Sequence, residues 1–229
     1  METTEETTSR EPMFRISPWV IGIALVLPGL HWVFTTLSIR MREDILWAAA
    51  LITERAGADI GSYQGYDNPL AYLVPFVGHG LLHAGWSHVI GNTVFFVAFG
   101  ASVARIMGGV RMFVIYVIAQ LGGGIAFLAF NLATSSEEVY AIGASGAVAG
   151  MMGSAYYIMA GGRLLSFKFW TLTLLIVVLD YTAAVLAEQV LGQGIAWEAH
   201  VGGYFSGVAV CAAFLHVRKR KLEQSLSNL

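Results

Sequence analysis

Six long apolar segments constrain this chain more than any other feature, because about 20 consecutive apolar residues suffice to cross a lipid bilayer. Of the 229 residues, 56% are hydrophobic and 12% are charged, about half the charged fraction of an average soluble domain. We therefore predict an all-α membrane protein with six transmembrane helices in one bundle. The predicted spans are residues 17–38, 86–105, 112–133, 144–160, 167–187 and 196–217. The fourth span is short and rich in glycine, which favours a helix buried among others.

The segments outside the spans define the predicted organisation of the chain. A polar tail covers residues 1–16, the membrane domain covers 17–217, and a basic tail covers 218–229. The first loop, over 39–69, is long enough for an amphipathic helix that lies at the membrane surface. Residues 70–85 are apolar but interrupted by glycines, and we predict a partly buried approach to the second span.

The Lys and Arg residues of the loops predict the orientation. Ten of them lie on the side of the two termini and three on the opposite side, all in the first loop. Because positive charge accumulates on the cytoplasmic side, we predict a multi-pass protein of the cell membrane with both termini cytoplasmic. The net charge of −2 argues against a nucleic-acid partner. The sequence leaves the oligomeric state open.

Polar residues of three predicted spans lie at a similar depth in the membrane. His88 and Asn92 are four residues apart and therefore share a helix face. At 1.5 Å per residue, His88, Ser145 and His200 lie about 24–25 Å above the inner ends of their spans, and Asn92 about 20 Å. Independent structural roles do not explain this agreement. Polar residues inside membrane helices are functional by default, so we predict one site in the outer half of the membrane.

Glycines predict that the fourth and sixth spans are in contact. Gly146, Gly150 and Gly153 follow Ser145 on the fourth span, and Gly203 and Gly207 follow His200 on the sixth. Such small residues let two helix backbones approach closely in lipid. Close approach is what a serine hydroxyl needs in order to reach a histidine ring.

Serine and histidine at such a contact indicate nucleophilic catalysis. Serine is a weak nucleophile until a base takes its proton, and we predict Ser145 as nucleophile and His200 as base. Because Glu198 is the one carboxylate of the sixth span and lies nearer the surface, we predict a dyad rather than a triad. Asp180, near the outer end of the fifth span, is then expected to meet water or a loop donor.

His88 and Asn92 are candidates for oxyanion stabilisation. Ser145 is predicted at the N-terminus of the fourth helix, where free backbone N–H groups and the positive end of the helix dipole favour a nearby anion. The side chains of His88 and Asn92 can add donors there, and such donors act strongly in a water-poor site. His79 and His83 are predicted to be structural.

Three motifs resemble those of the rhomboid family of intramembrane serine proteases, in its six-span prokaryotic form, over residues 70–217. "HAGWSHVIGN" is similar to the family's HxxxxHxxxN, "GASG" to its GxSG, and "AHVGGYFSG" to its AHxxGxxxG. The matching positions are His83, His88, Asn92, Ser145 and His200. The resemblance implies a rhomboid-like bundle that cleaves a peptide bond in or near the transmembrane helix of a single-pass protein. It implies no metal and no cofactor.

Two positions depart from the pattern of the family. Rhomboid proteases usually carry an aromatic residue four positions after the serine, where this chain has Ala149. An aromatic residue introduced there is expected to keep or raise activity if the space beside His200 is open. The Trp–Arg pair of the first loop is also not evident, and Arg55 is expected to be a poor substitute for it.

Two other readings remain open from the sequence. A non-catalytic rhomboid-like protein could bind transmembrane clients, and Ala149 is the feature that favours it. Alternatively, His79, His83, His88 and His200 could bind a metal ion, in which case a chelator would abolish activity.

Overall fold

The computed structural model of the protein describes residues 16–62, 65–134, 138–191 and 194–227. Nearly all of the predicted tail over 1–16 lies outside these ranges, as do residues 228 and 229. Helices dominate the described chain, as predicted. Its elements, in order, are α1 (Pro18–Thr36), α2 (Ile39–Ala49), β1 (Leu51–Ile52), α3 (Thr53–Gly57), a 3-10 helix (Pro69–Tyr72), α4 (Leu73–Gly78), a second 3-10 helix (His79–Leu81), α5 (Trp86–Met107), α6 (Gly109–Thr134), β2 (Tyr140–Ala141), α7 (Ser145–Met159), α8 (Phe167–Leu191) and α9 (Trp197–Ser227).

Five helices of the described chain are long and apolar enough to cross a membrane, namely α1, α5, α6, α8 and α9. They coincide with five of the six predicted spans. Helix α7 covers the remaining predicted span but has 15 residues. At 1.5 Å per residue it is about 22 Å long, which is shorter than the hydrocarbon core of about 30 Å.

Helix α7 lies in the middle of the bundle, as its glycine content predicts. Ten of its 15 residues are buried, and it packs against α5, α6 and α9. A Cβ atom at Gly203 would lie 2.9 Å from the Cα atom of Gly146, and one at Gly207 would lie 2.6 Å from the Cα atom of Gly150. The predicted glycine-mediated contact between the fourth and sixth spans is therefore confirmed. It fixes the start of α7 against the first turns of α9.

Helix α8 is attached to the bundle more loosely than the other long helices. Most of its side chains are exposed, and the buried ones that the structure describes are Phe169, Thr173 and Ala184. The hydroxyl groups of Thr173 and Tyr204 share a hydrogen bond of 2.8 Å, which links α8 to α9. A polar contact thus adds to the few buried side chains that attach this helix.

Helix α9 continues to Ser227, ten residues beyond the predicted end of the sixth span at 217. The basic segment that begins at residue 218 is therefore helical over the described residues. The guanidinium Nη1 of Arg218 donates a hydrogen bond of 3.2 Å to the carbonyl oxygen of Ile106, at the C-terminal end of α5.

The first loop is tied to the segment that leads into α7. The two-residue strands β1 and β2 pair in antiparallel fashion, with Leu51 opposite Ala141. Next to this pair, the amide of Thr53 donates to the carbonyl oxygen of Val139 at 3.1 Å, and the amide of Val139 donates to the Thr53 hydroxyl at 3.1 Å. The loop between the first two spans therefore braces the chain a few residues before Ser145.

Arg55 anchors the first loop, contrary to the expectation from the sequence. Its side chain is 7% exposed and lies between the rings of Trp47 and Tyr66, 4.6 and 4.1 Å from their centroids. It also donates hydrogen bonds to the carbonyl oxygens of Trp47 and Gly65. Burial raises the pKa of Tyr66 although the charge of Arg55 opposes the shift, and the ring faces the guanidinium group. The chain thus contains a Trp–Arg pair, formed by Trp47 and Arg55.

The Arg55→Ala variant is expected to loosen this loop. It removes two cation–π contacts and two charge-assisted hydrogen bonds, so the free energy of unfolding should fall by about 1–3 kcal/mol. Melting in detergent and protease cleavage within residues 39–69 measure the effect. Arg40→Ala is the matched control, because Arg40 is exposed on α2. If both variants behave like the wild type, Arg55 does not anchor the loop.

Candidate active site

Gly143 shapes the turn that leads into Ser145, the first residue of α7. Its φ of +124° lies in a region that residues with a side chain rarely adopt. A Cβ atom there would lie 2.7 Å from the Nε2 atom of His88 and 3.6 Å from the Nδ2 atom of Asn92. The first glycine of "GASG" is therefore required for two reasons, and the structure brings His88 and Asn92 to the turn before Ser145.

Asn92 and His88 both present nitrogen donors at this turn. Asn92 is 7% exposed, and within the described ranges no hydrogen-bond partner satisfies its Nδ2 atom. An unsatisfied buried donor costs about 1–3 kcal/mol, so this amide is suited to an acceptor that arrives with a reaction. The Nδ1 atom of His88 accepts from the amide of Ala84 at 3.5 Å, which leaves the proton of the neutral ring on Nε2.

Gln120, on α6, holds this turn in place and was missed by the sequence analysis. Its Nε2 atom donates to the carbonyl oxygen of Gly143 at 3.0 Å, and its Oε1 atom accepts from the amide of Ala147 at 3.0 Å. The Nε2 atom also contacts the Nε2 atom of His79 at 2.6 Å, while the amide of Gly143 donates to the carbonyl oxygen of His79 at 2.7 Å. A polar residue in an apolar span was the available signal.

His79 and His83 contact the turn and the segment before it, as predicted for structural residues. The Nδ1 atom of His79 lies 2.6 Å from the carbonyl oxygen of Pro75, so it donates a hydrogen bond there. The Nε2 atom of His83 accepts from the amide of Ala144 at 3.5 Å. The ring of His83 also packs edge-on against that of His88, with centroids 5.1 Å apart.

Ser145 and His200 each lie next to a residue of the contact between α7 and α9. A Cβ atom at Gly146 would lie 3.4 Å from the carbonyl oxygen of Ala199, the residue before His200. Both Ser145 and His200 are partly exposed, in contrast to the buried glycines beside them. Both residues therefore lie next to this helix contact, and both are partly accessible from outside the bundle.

The structure places a carboxylate against His200. The Oδ1 atom of Asp180, on α8, lies 2.8 Å from the Nδ1 atom of His200. The expectation that Asp180 meets water or a loop donor was therefore wrong. The prediction of a dyad rested on the carboxylates of the sixth span alone. That premise was wrong, because the carboxylate that contacts His200 comes from the fifth span.

His79, His83, His88 and His200 are not arranged around a common point as the ligands of a metal ion would be. Within the part of the chain that the structure describes, no three His, Cys, Asp or Glu side chains are grouped as a metal ion requires. His79 and His83 instead direct nitrogens to backbone groups and to Gln120. The metal-site reading thus has no support from the arrangement of these residues.

Ala149 has little space for a larger side chain. It is 7% exposed and lies in the main apolar cluster of the bundle, with Met151 and Tyr204. We therefore expect Ala149→Phe to lower the free energy of unfolding by about 1–3 kcal/mol through overpacking, without a gain in activity. Melting in detergent tests this, with Ala149→Ser as the small control. Higher activity at an unchanged melting temperature would mean that the space beside His200 is open.

Comparison with known sequences agrees with this arrangement. The profile of the Rhomboid domain matches residues 71–217, which include every residue of the site. "Uncharacterized protein Rv1337" of Mycobacterium tuberculosis is 30% identical over 199 residues, covering 83% of this chain and 79% of that protein.

Two relatives are named as rhomboid proteases, both from Bacillus subtilis. "Rhomboid protease GluP" is 28% identical over 142 residues, covering 62% of this chain and 25% of that protein. "Putative rhomboid protease YdcA" is 25% identical over 147 residues, covering 64% of this chain and 65% of that protein. Together with the domain match and the apolar helices, these relationships establish that the chain is a multi-pass membrane protein that belongs to the rhomboid family.

Proposed function

We propose that this protein is an intramembrane serine endopeptidase, with Ser145 as nucleophile and His200 as general base. The observation that carries the proposal is the contact of α7 with α9 at Gly146, Ala199 and Gly203, which Ser145 and His200 flank. A serine and a histidine on adjoining helices, both partly exposed within a bundle of apolar helices, suit acyl transfer at a membrane-embedded peptide bond.

In the proposed reaction, the Oγ atom of Ser145 attacks the scissile carbonyl carbon while the Nε2 atom of His200 takes the hydroxyl proton. The tetrahedral intermediate collapses as His200 returns that proton to the leaving amine, and an acyl-enzyme remains on Ser145. Water, deprotonated by His200, then hydrolyses the ester. This sequence needs no metal or cofactor.

The developing oxyanion is proposed to lie between Asn92, His88 and the start of α7. The unsatisfied Nδ2 atom of Asn92 and the Nε2 atom of His88 both lie beside Gly143, two residues before Ser145. The first amides of α7 have no intrahelical acceptor and add the positive end of the helix dipole. The donors are in place before the reaction, so they stabilise the charge without reorganisation.

We further propose that the protein crosses the cell membrane six times, with both termini in the cytoplasm. The count includes α7, which is short but surrounded by longer helices, and the orientation rests on the ten Lys and Arg residues on the side of the termini. The site then lies in the outer half of the bilayer. Its substrates are single-pass membrane proteins whose helix unfolds readily near that depth.

The proposal is tested by incubating the purified protein in detergent with fluorescently labelled peptides that span one transmembrane helix. The peptides carry small residues and a glycine or proline near the outer end of the helix. Cleavage that persists in a metal chelator supports a serine protease. Loss of cleavage in the chelator, restored by zinc, contradicts it. Binding of the peptides without cleavage by the wild type would favour the non-catalytic alternative.

A further inference from the structure

The contact between Asp180 and His200 determines the tautomer of the histidine. An ionised carboxylate accepts hydrogen bonds and donates none, so the Nδ1 atom of His200 carries the hydrogen that bridges the 2.8 Å to Oδ1 of Asp180. In the neutral ring the Nε2 atom is then unprotonated, as a general base requires. The side chains are 21% exposed for His200 and 23% for Asp180, so the pair is partly shielded from water.

We propose that Asp180 is a positioning residue that orients His200 and stabilises the imidazolium formed during catalysis. This proposal rests on the proposed function, and it turns the expected Ser–His dyad into an array of Ser145, His200 and Asp180 contributed by three helices. It also accounts for Ala149. The position where relatives usually place an aromatic residue to fix the histidine ring is occupied here by a methyl group, and Asp180 fixes the ring instead.

A purely structural link between α8 and α9 does not explain Asp180. The hydrogen bond between Thr173 and Tyr204 already joins these helices two turns away, with neutral groups. The Oδ2 atom of Asp180 is buried and, among the described residues, has no partner, so the carboxylate pays a desolvation cost that one hydrogen bond offsets only in part. A charge retained at such a cost is suited to balance a positive charge that appears next to it.

The proton transfers are simple. When the Oγ atom of Ser145 attacks, its proton moves to Nε2 of His200, and the ring becomes a cation with hydrogens on both nitrogens. Asp180 stays ionised throughout and accepts the hydrogen bond from Nδ1. The cation then loses its Nε2 proton to the leaving amine, so the ring returns to its neutral form and the pair to its starting charge of −1.

Three variants test the role of Asp180. Asp180→Ala and Asp180→Asn should lower kcat for the labelled peptide, and the rate of Ser145 modification by a serine-reactive phosphonate, by about 10- to 1,000-fold. The loss should be smaller than the about 10⁴-fold loss in fully buried triads, because this pair is partly exposed. KM should change little. Asp180→Glu should restore part of the rate, because it keeps the acceptor and the charge.

Thr173→Val is the matched control, since it removes a different hydrogen bond between α8 and α9 and leaves the contact of Asp180 with His200 intact. We expect this variant to react with the phosphonate at the rate of the wild type. Its melting temperature should be similar to those of the Asp180 variants. Equal loss in Thr173→Val and Asp180→Ala would mean that Asp180 acts by holding the helices together. Wild-type rates in Asp180→Ala would overturn the proposal.

A second readout does not depend on activity. Nitrogen NMR of ¹⁵N-histidine-labelled protein, with His200 assigned by its loss in His200→Ala, reports which ring nitrogen carries the proton. We expect the Nδ1-protonated form in the wild type and a mixture of tautomers in Asp180→Ala. A protein that cleaves nothing and does not react with phosphonate contradicts the proposed function, whereas an Nε2-protonated His200 in the wild type contradicts the role of Asp180.

Discussion

Cleavage of a labelled transmembrane peptide is expected to fall by at least about 10⁴-fold when Ser145 is replaced by alanine, and equally when His200 is replaced. The reason is that nucleophile and base act as one unit, so the loss of either removes the same step. For the same reason, the Ser145→Ala/His200→Ala double variant should be no worse than either single variant. Initial rates of peptide cleavage by the purified proteins in detergent measure the effect.

Ser154→Ala is the matched control for Ser145→Ala. Ser154 lies on the same helix but is fully buried, so it is out of reach of a substrate. This control should cleave at a rate near that of the wild type. Cleavage by Ser145→Ala at the wild-type rate would end the serine-protease account.

The second large effect is expected for the oxyanion donors. Asn92→Ala should lower kcat by about 10²-fold with little change in KM, because the oxyanion exists in the transition state and not in the bound substrate. This lies at the lower end of the effect of losing one donor, since His88 and the amides at the start of α7 remain. Steady-state kinetics with the labelled peptide separate the two parameters.

A double-mutant cycle shows whether Asn92 and His88 serve the same oxygen. His88→Ala should resemble Asn92→Ala, and the two together should lose less than the product of the single losses. Thr93→Ala is a control on the same helix, because its hydroxyl bonds to the carbonyl of Val89 within α5. Unchanged kcat with a raised KM in Asn92→Ala would place Asn92 in substrate binding instead.

The long helices could be predicted because they depend on local quantities, whereas the depth of His88, Asn92 and Ser145 in the membrane stays a prediction. Apolar length locates a span, and the rise per residue converts position into depth. The contact of α7 with α9 was also predictable, since Gly146 and Gly203 are the residues through which two backbones approach. These parts of the fold need no knowledge of how the helices are rotated about their axes.

The partner of Asp180 could not be predicted in this way. Helix α8 is apolar around most of its circumference, so its sequence does not specify which face meets α9. The contact with His200 depends on that rotation and appears only in three dimensions. Gln120 was missed for another reason. By its position along the helix, nine residues or about 14 Å from Arg111, it does not share the depth that the other site residues were predicted to have. Its long side chain nevertheless reaches the carbonyl oxygen of Gly143.

The pair of Trp47 and Arg55 was missed because no helical periodicity connects the two residues. Trp47 lies in the last turn of α2. Arg55 lies on α3, which follows the two-residue strand that pairs with residues 140–141. The guanidinium lies over the Trp47 ring on the far side of this strand pair, and Tyr66 completes the contact from a further loop. Long-range pairing of short strands leaves little signal in sequence.

The most direct test of the central claim is covalent labelling of the purified protein with a serine-reactive phosphonate, followed by peptide mass spectrometry. Our account predicts one stoichiometric adduct, on Ser145, with loss of peptide cleavage in proportion to labelling and a strongly reduced labelling rate in His200→Ala. An adduct on any other residue that abolishes cleavage, or cleavage that continues with Ser145 fully modified, would contradict it.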